Sequence, residues 1–139
     1  MDAQTPERMM LAGNMLADNG VILPGPNGHV RAAKNWNAVM FGGDDYEATV
    51  RSLPLPEAEQ NILVEFFGGE RDFLDDMSLG EKWEYVNSTS YNTFLMERVG
   101  LAEETLPILN ANLIHLHGLS GWNRSVLEGI TGGAPGIKS

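Results

Sequence analysis

The sequence predicts an α+β protein, mostly helical, in which a small N-terminal β element is followed by about four amphipathic helices. Three observations lead there. Short apolar runs bounded by proline and glycine occupy the N-terminal part. From Leu53 onward, apolar residues recur at spacings of three and four, the period of a helix with one buried face. Serine, proline and glycine then punctuate those stretches where helices start and stop. The 139 residues read as a single partial domain, with a β/loop element over 1–52, a helical part over 53–121 and a glycine-rich tail over 122–139.

In chain order, Met10, Leu11, Met15 and Leu16 suit a short helix over 7–18, ended at Asn19-Gly20, where glycine can take a positive φ. Val21-Ile22-Leu23 is a brief strand. Pro24-Gly25-Pro26-Asn27-Gly28 stops it, combining a fixed φ, missing donors and turn-forming residues. A second strand is expected over 29–34, making a hairpin around a five-residue loop, and a third around Val39-Met40-Phe41. Gly42-Gly43-Asp44-Asp45 marks a turn.

The helical part opens at Pro54 and Pro56, because a missing amide hydrogen costs little in a first turn. Ile62, Leu63, Phe66 and Phe67 share one face, which Phe73 and Leu74 extend. Gly68-Gly69 should break the helix, at roughly 1 kcal/mol per glycine relative to alanine. Ser78 with Glu81 forms an S-x-x-E capping box at the head of a helix running to about Asn87. Ser90 caps another, with Tyr91, Phe94, Leu95 and Val99 on one stripe and Gly100 closing it. Glu103-Glu104 opens the next with charge suited to the positive end of its dipole, ahead of Leu106, Leu109, Leu113 and Leu116. A last short helix is expected over 125–130.

Composition limits the function. Nineteen acidic against nine basic residues give a formal charge of −10, which repels nucleic-acid phosphate and excludes that partner class. The same field attracts polycations, though acidity also serves solubility. With no cysteine, disulfides, thiolate metal sites and a cysteine nucleophile are excluded. No apolar run approaches the roughly 20 residues needed to span a bilayer, and the N-terminus lacks the basic region of a secretory signal.

Candidate chemistry is sparse. No G-x-G-x-x-G follows a strand, so the backbone cradle for a dinucleotide pyrophosphate is absent, and "GITGGAPG" reads as a turned loop. His115 and His117 stand two apart, so one helix or strand would not aim both at one metal. His117 could serve alone as a base or ligand, but the plainer reading places it at a helix C-terminus; His29 lies in a loop. Glu70, Asp72, Asp75 and Asp76 lack the ligand alternation of a calcium loop and read as a solvated helix end. No G-x-S-x-G appears. Trp122, beside His117 in a glycine-bounded loop, offers an electron-rich face for an alkyl-ammonium, with Glu128 to neutralise it. The plainer reading has Trp122 plugging the edge of the core.

The stretches "MSLGEKWEYVNSTSYNTFLMERVG", "LPILNANLIHLHGLSG" and "GAPG" together resemble one region of the spermidine dehydrogenase-like flavoproteins. That region belongs to the inserted substrate-side domain, part sheet and part helix, between the segments that bind FAD. The resemblance covers the C-terminal half of the chain. It implies that His117, Gly118, Leu119 and Gly121 line or shape the mouth of a cavity where a polyamine-like substrate is oxidised next to its nitrogen. It also implies FAD as the cofactor of the parent family, held by FAD-binding segments that this sequence lacks. Trp122-Asn123-Arg124 departs from the smaller residues expected there. The expectation is a chain that neither holds FAD nor turns over an amine by itself, being a fragment of a longer reading frame or a split subunit completed by a partner. The rival expectation is a stand-alone acidic helical interaction module without catalysis. An exposed apolar face on the 106–116 helix would favour the first, since severed surfaces leave hydrophobic patches; a closed core would favour the second.

Overall fold

The computed structural model describes residues 21–25, 28–33, 45–110 and 121–131. The described part is mostly helical, as expected. The chain divides into two compact units, Met1–Pro54 and Leu55–Ser139. The helix expected over 7–18, the strand around 39–41 and most of the turn at 42–45 lie outside the described residues.

In the first unit, β1 (Val21–Gly25) and β2 (Gly28–Ala33) pair as an antiparallel two-stranded ribbon. Ile22 lies opposite Arg31, Leu23 opposite Val30 and Pro24 opposite His29, with an irregularity between Val21 and Ile22. The ladder therefore runs through Pro24 to the Gly25–Gly28 pair and leaves a two-residue connection where a five-residue loop was expected. Two features permit this. Each strand of a two-stranded ribbon is an edge, where proline's missing donor is tolerated. Gly28 adopts a φ of 114°, open to a residue without Cβ. α1 (Tyr46–Arg51) falls between the turn expected at 42–45 and the helix expected from Leu53, in a stretch assigned to the β/loop element; its surface carries a Glu47–Arg51 pair at 3.6 Å. Val50 and Leu53 are buried.

The second unit begins with α2 (Glu57–Gly68), entered from Pro56 and ended by Gly69 at φ 67°. Leu63, Phe66 and Phe67 are buried and Ile62 half-buried. Phe73 and Leu74 do not prolong the helix, because the backbone turns over 73–76, but both reach the same core. Phe66, Phe73 and Phe94 form a chain of ring contacts at 5.9 and 6.4 Å, and Tyr91 joins Phe94 at 6.0 Å. Burying each such ring stabilises the unit by about 1.5–3 kcal/mol.

α3 (Leu79–Ser88) starts at the expected capping box: Glu81 N donates to Ser78 Oγ at 3.5 Å, and Ser78 N donates to Glu81 Oε2 at 2.8 Å. α4 (Tyr91–Phe94) starts at Ser90, whose Oγ accepts from Thr93 N at 3.1 Å. It then widens into a π-helical turn, Leu95–Val99, which the sequence reading did not anticipate. Leu95 O accepts from Gly100 N at 3.1 Å and Leu101 N at 3.0 Å, and Gly100 ends the element at φ 90°. The expected stripe of Tyr91, Phe94, Leu95 and Val99 is buried.

A 3₁₀ turn, Glu103–Thr105, leads into α5, described over 106–110, where Leu106, Ile108 and Leu109 are buried. Glu59 of α2 clamps this entry, accepting from Thr105 Oγ1 at 2.7 Å and from Ala102 N at 3.2 Å. Leu113 and Leu116 lie outside the described residues, so the exposed-face criterion for that helix extends only to 110. α6 (Val126–Thr131) closes the unit. Its head is joined to that of α4 by a bridge between Ser90 and Ser125, made by Tyr91 N donating to Arg124 O at 2.8 Å and Val126 N to Thr89 O at 2.9 Å.

Candidate functional site

Of the expected site residues, His117, Gly118 and Leu119 lie outside the described residues, as does His115. Gly121, Trp122 and Glu128 are described. Gly121 and Trp122 belong to a 3₁₀ turn, Gly121–Asn123, packed beside α4. Gly121 is buried, and its N–H donates to Asn110 Oδ1 at 2.8 Å. Any side chain there would enter the Asn92 and Asn110 carboxamides, since a Cβ would stand 2.9 Å from Asn92 Cγ and 2.8 Å from Asn110 Oδ1. Gly121 therefore shapes the site by yielding space.

Trp122 is 48% exposed and does not plug the core. With Asn123, Arg124 and Ser125 it lines an open cavity of about 300 Å³, together with the end of α3 and the junction to α4, from Asn87 to Ser90. The lining offers hydroxyls, amides, one indole face and one guanidinium, and no carboxylate. Glu128 stands one turn along α6 in a second capping box. Its Oε2 accepts from Ser125 N at 2.9 Å and Ser125 Oγ at 3.3 Å, while Glu128 N donates to Ser125 Oγ at 3.2 Å. The sequence signal for this was present: Ser125 and Glu128 repeat the spacing of Ser78 and Glu81.

Two members of the acidic cluster are taken up by the fold. Asp72 pairs with Lys82 and accepts from Leu74 N at 3.0 Å, and Asp76 pairs with Arg98. Among the described residues no three histidine or carboxylate side chains gather as a metal site. The hydrogen bond from Lys82 holds the Asp72 carboxyl below its ordinary range, and that from Ser78 does the same for Glu81. Burial pushes the Tyr91 hydroxyl up, and burial followed by the nearby Glu97 raises that of Tyr85. All four move away from neutrality, so none of these groups is poised as a general acid or base near pH 7.

Two residues that sequence reasoning did not single out stand out on α3. Leu79 is 87% exposed and Trp83 66%. They lie four apart, seven and three residues before the buried Val86, which puts them about 20° and about 60° around the helix from it. Asn87 continues the row, its Nδ2 donating to Trp83 O at 2.7 Å, and reaches the cavity that Trp122 borders. Among the described residues no helix is long and apolar enough to cross a membrane. No family model and no curated protein matches the chain.

Proposed function

We propose that the chain is the substrate-side part of a flavin-dependent oxidoreductase acting on amines, polyamine-like substrates among them. One observation carries this reading: the stretch with the spermidine dehydrogenase-like wording lies inside the unit Leu55–Ser139. Its described motif residues serve that fold as caps, terminators and a close-packed glycine. The cavity beside Trp122 offers an indole face and hydroxyl and amide oxygens to an alkyl-ammonium, while its Arg124 guanidinium opposes the charge and Glu128, expected to neutralise it, is outside the lining and holds the Ser125 cap. In this reading the cofactor is FAD, bound by missing FAD-binding segments of the same chain or a partner. The chain by itself holds no flavin.

Two measurements test it. DNA flanking the reading frame should encode a G-x-G-x-x-G segment in frame or in an adjacent gene, and the two parts expressed together should reduce a dye with spermidine. Unrelated complete genes on both sides, with no spermidine-dependent reduction, would overturn it. The isolated chain mixed with FAD should remain colourless after desalting; stoichiometric flavin retention would refute the division of labour. The rival reading, an acidic helical interaction module, draws on the burial of Leu106, Ile108 and Leu109 in the described part of α5.

A further inference from the structure

We propose that the Leu79–Trp83 flank of α3, rimmed by Glu84, docks a basic amphipathic segment of a partner protein. The inference rests on α3 and its surroundings and holds whether or not the chain belongs to an amine oxidoreductase.

Exposure comes first. Val86 of α3 and Tyr91, Phe94 and Leu95 after it are buried, yet Leu79 and Trp83 of the same α3 are exposed. A tryptophan brings 150–250 Å² of contact area, and tryptophan is enriched among the few residues that dominate protein interfaces. Leu79 sits one turn before Trp83 and Asn87 one turn after, so the flank offers successive positions at helical spacing. Such a row accepts apolar anchors spaced on a matching period.

Charge selects the partner. Both cations nearest the head of α3 are already taken, Lys82 by Asp72 and Arg98 by Asp76. The acids remain uncompensated on the outer side: Glu84 is exposed beside Trp83, with no ion-pair partner among the described residues, and Asp75 is exposed just before the helix. Glu81 is exposed too, its carboxylate holding the cap. The chain as a whole carries −10. A lysine or arginine laid across this flank would meet the Trp83 ring face and the Glu84 carboxylate together, which combines cation–π attraction with an ion pair. An acidic segment would face repulsion at each of these positions.

The test uses the full chain and two fluorescein-labelled synthetic peptides, each about four helical turns long: one of leucine and arginine on a helical period, the other with glutamate replacing arginine. Binding is read by anisotropy at near-physiological salt. The Leu/Arg peptide should bind wild type, weaken by about tenfold or more with Trp83→Ala or Leu79→Ser, and weaken several-fold with Glu84→Gln. Because these side chains are exposed, circular dichroism should show the variants folded as wild type. Glu103→Gln with Glu104→Gln removes more charge elsewhere on the same unit and should change binding by less than about twofold. The proposal is overturned if Trp83→Ala binds like wild type, if the remote charge variant weakens binding as much as Glu84→Gln, or if the Leu/Glu peptide binds equally well. It is also overturned if sedimentation shows wild type, but not Trp83→Ala, to be a dimer, since the flank then belongs to a second copy.

Discussion

Replacing Gly121 by alanine should be among the most damaging single-methyl additions to the second unit. The backbone there is outside the left-handed region, so the effect is steric and not conformational. The new Cβ would stand 2.8 Å from Asn110 Oδ1 and 2.9 Å from Asn92 Cγ, against an ordinary contact of 3.4 Å or more. Asn92 is fully buried and short, so it cannot swing aside into solvent. Asn110 cannot retreat without stretching the 2.8 Å bond it accepts from Gly121 N. Overpacking of this kind costs about 1–3 kcal/mol, and the weakened hydrogen bond adds about 1 kcal/mol. A Tm shift of about 4–8 °C per kcal/mol for a unit of this size puts the expected fall at roughly 10–30 °C. Thermal unfolding followed by circular dichroism measures it. The partner variant is Asn92→Ala, whose amide atoms find no hydrogen bond among the described residues, so their removal offsets part of the hole it leaves. In the double variant the methyl should cost less than half as much as in wild type. Gly121→Ala melting within about 2 °C of wild type, or an equal loss in the Asn92→Ala background, would refute the reasoning.

Two further outcomes follow from the surface of the same unit. Ser78→Ala removes the acceptor for Glu81 N and should lower stability by about 1 kcal/mol in a urea titration, with Ser78→Asp restoring most of it. Asp72→Asn tests the Lys82 pair: because Lys82 lowers the Asp72 pKa below its ordinary 3.8, that carboxylate's stabilisation is present above about pH 4 and lost as pH falls through the lowered value. Wild type should therefore exceed Asp72→Asn by about 1–3 kcal/mol at neutral pH, and the two curves should converge in acid.

Local punctuation made much of the second unit legible. Ser78, Ser90, Gly69 and Gly100 act through bonds and dihedrals within a few residues of themselves, and each stands where its chemistry placed it. What escaped depends on information that a short window lacks. α1 has no side-chain cap at Asp45 and one buried residue, Val50, so no apolar period marks it. The π turn at 95–99 differs from an α turn by which amide reaches Leu95 O, while the buried stripe stays the same. At the site, the sequence offers Trp122 as an alkyl-ammonium face or a core plug, and Glu128 as its counter-charge. The first depends on where the 121–125 turn meets α3, a tertiary matter. The second was readable from Ser125, three residues upstream. Trp83 is the clearest case: its exposure follows from which side of α3 the core reaches, and no residue near it in sequence records that.

The bridge between Ser90 and Ser125 has a kinetic meaning. Two helix heads far apart in sequence share one short ladder, so the amides of Tyr91 and Val126 are sealed by the same event. The entropy of closing the intervening loop is lost once and serves both helices, and that loss grows only slowly with loop length. Local fraying of either helix leaves the ladder intact, whereas opening the ladder releases both heads together. In hydrogen exchange these two amides would act as a single clock for the cooperative opening of the unit, ticking at the rate of its global unfolding and not at that of any one helix.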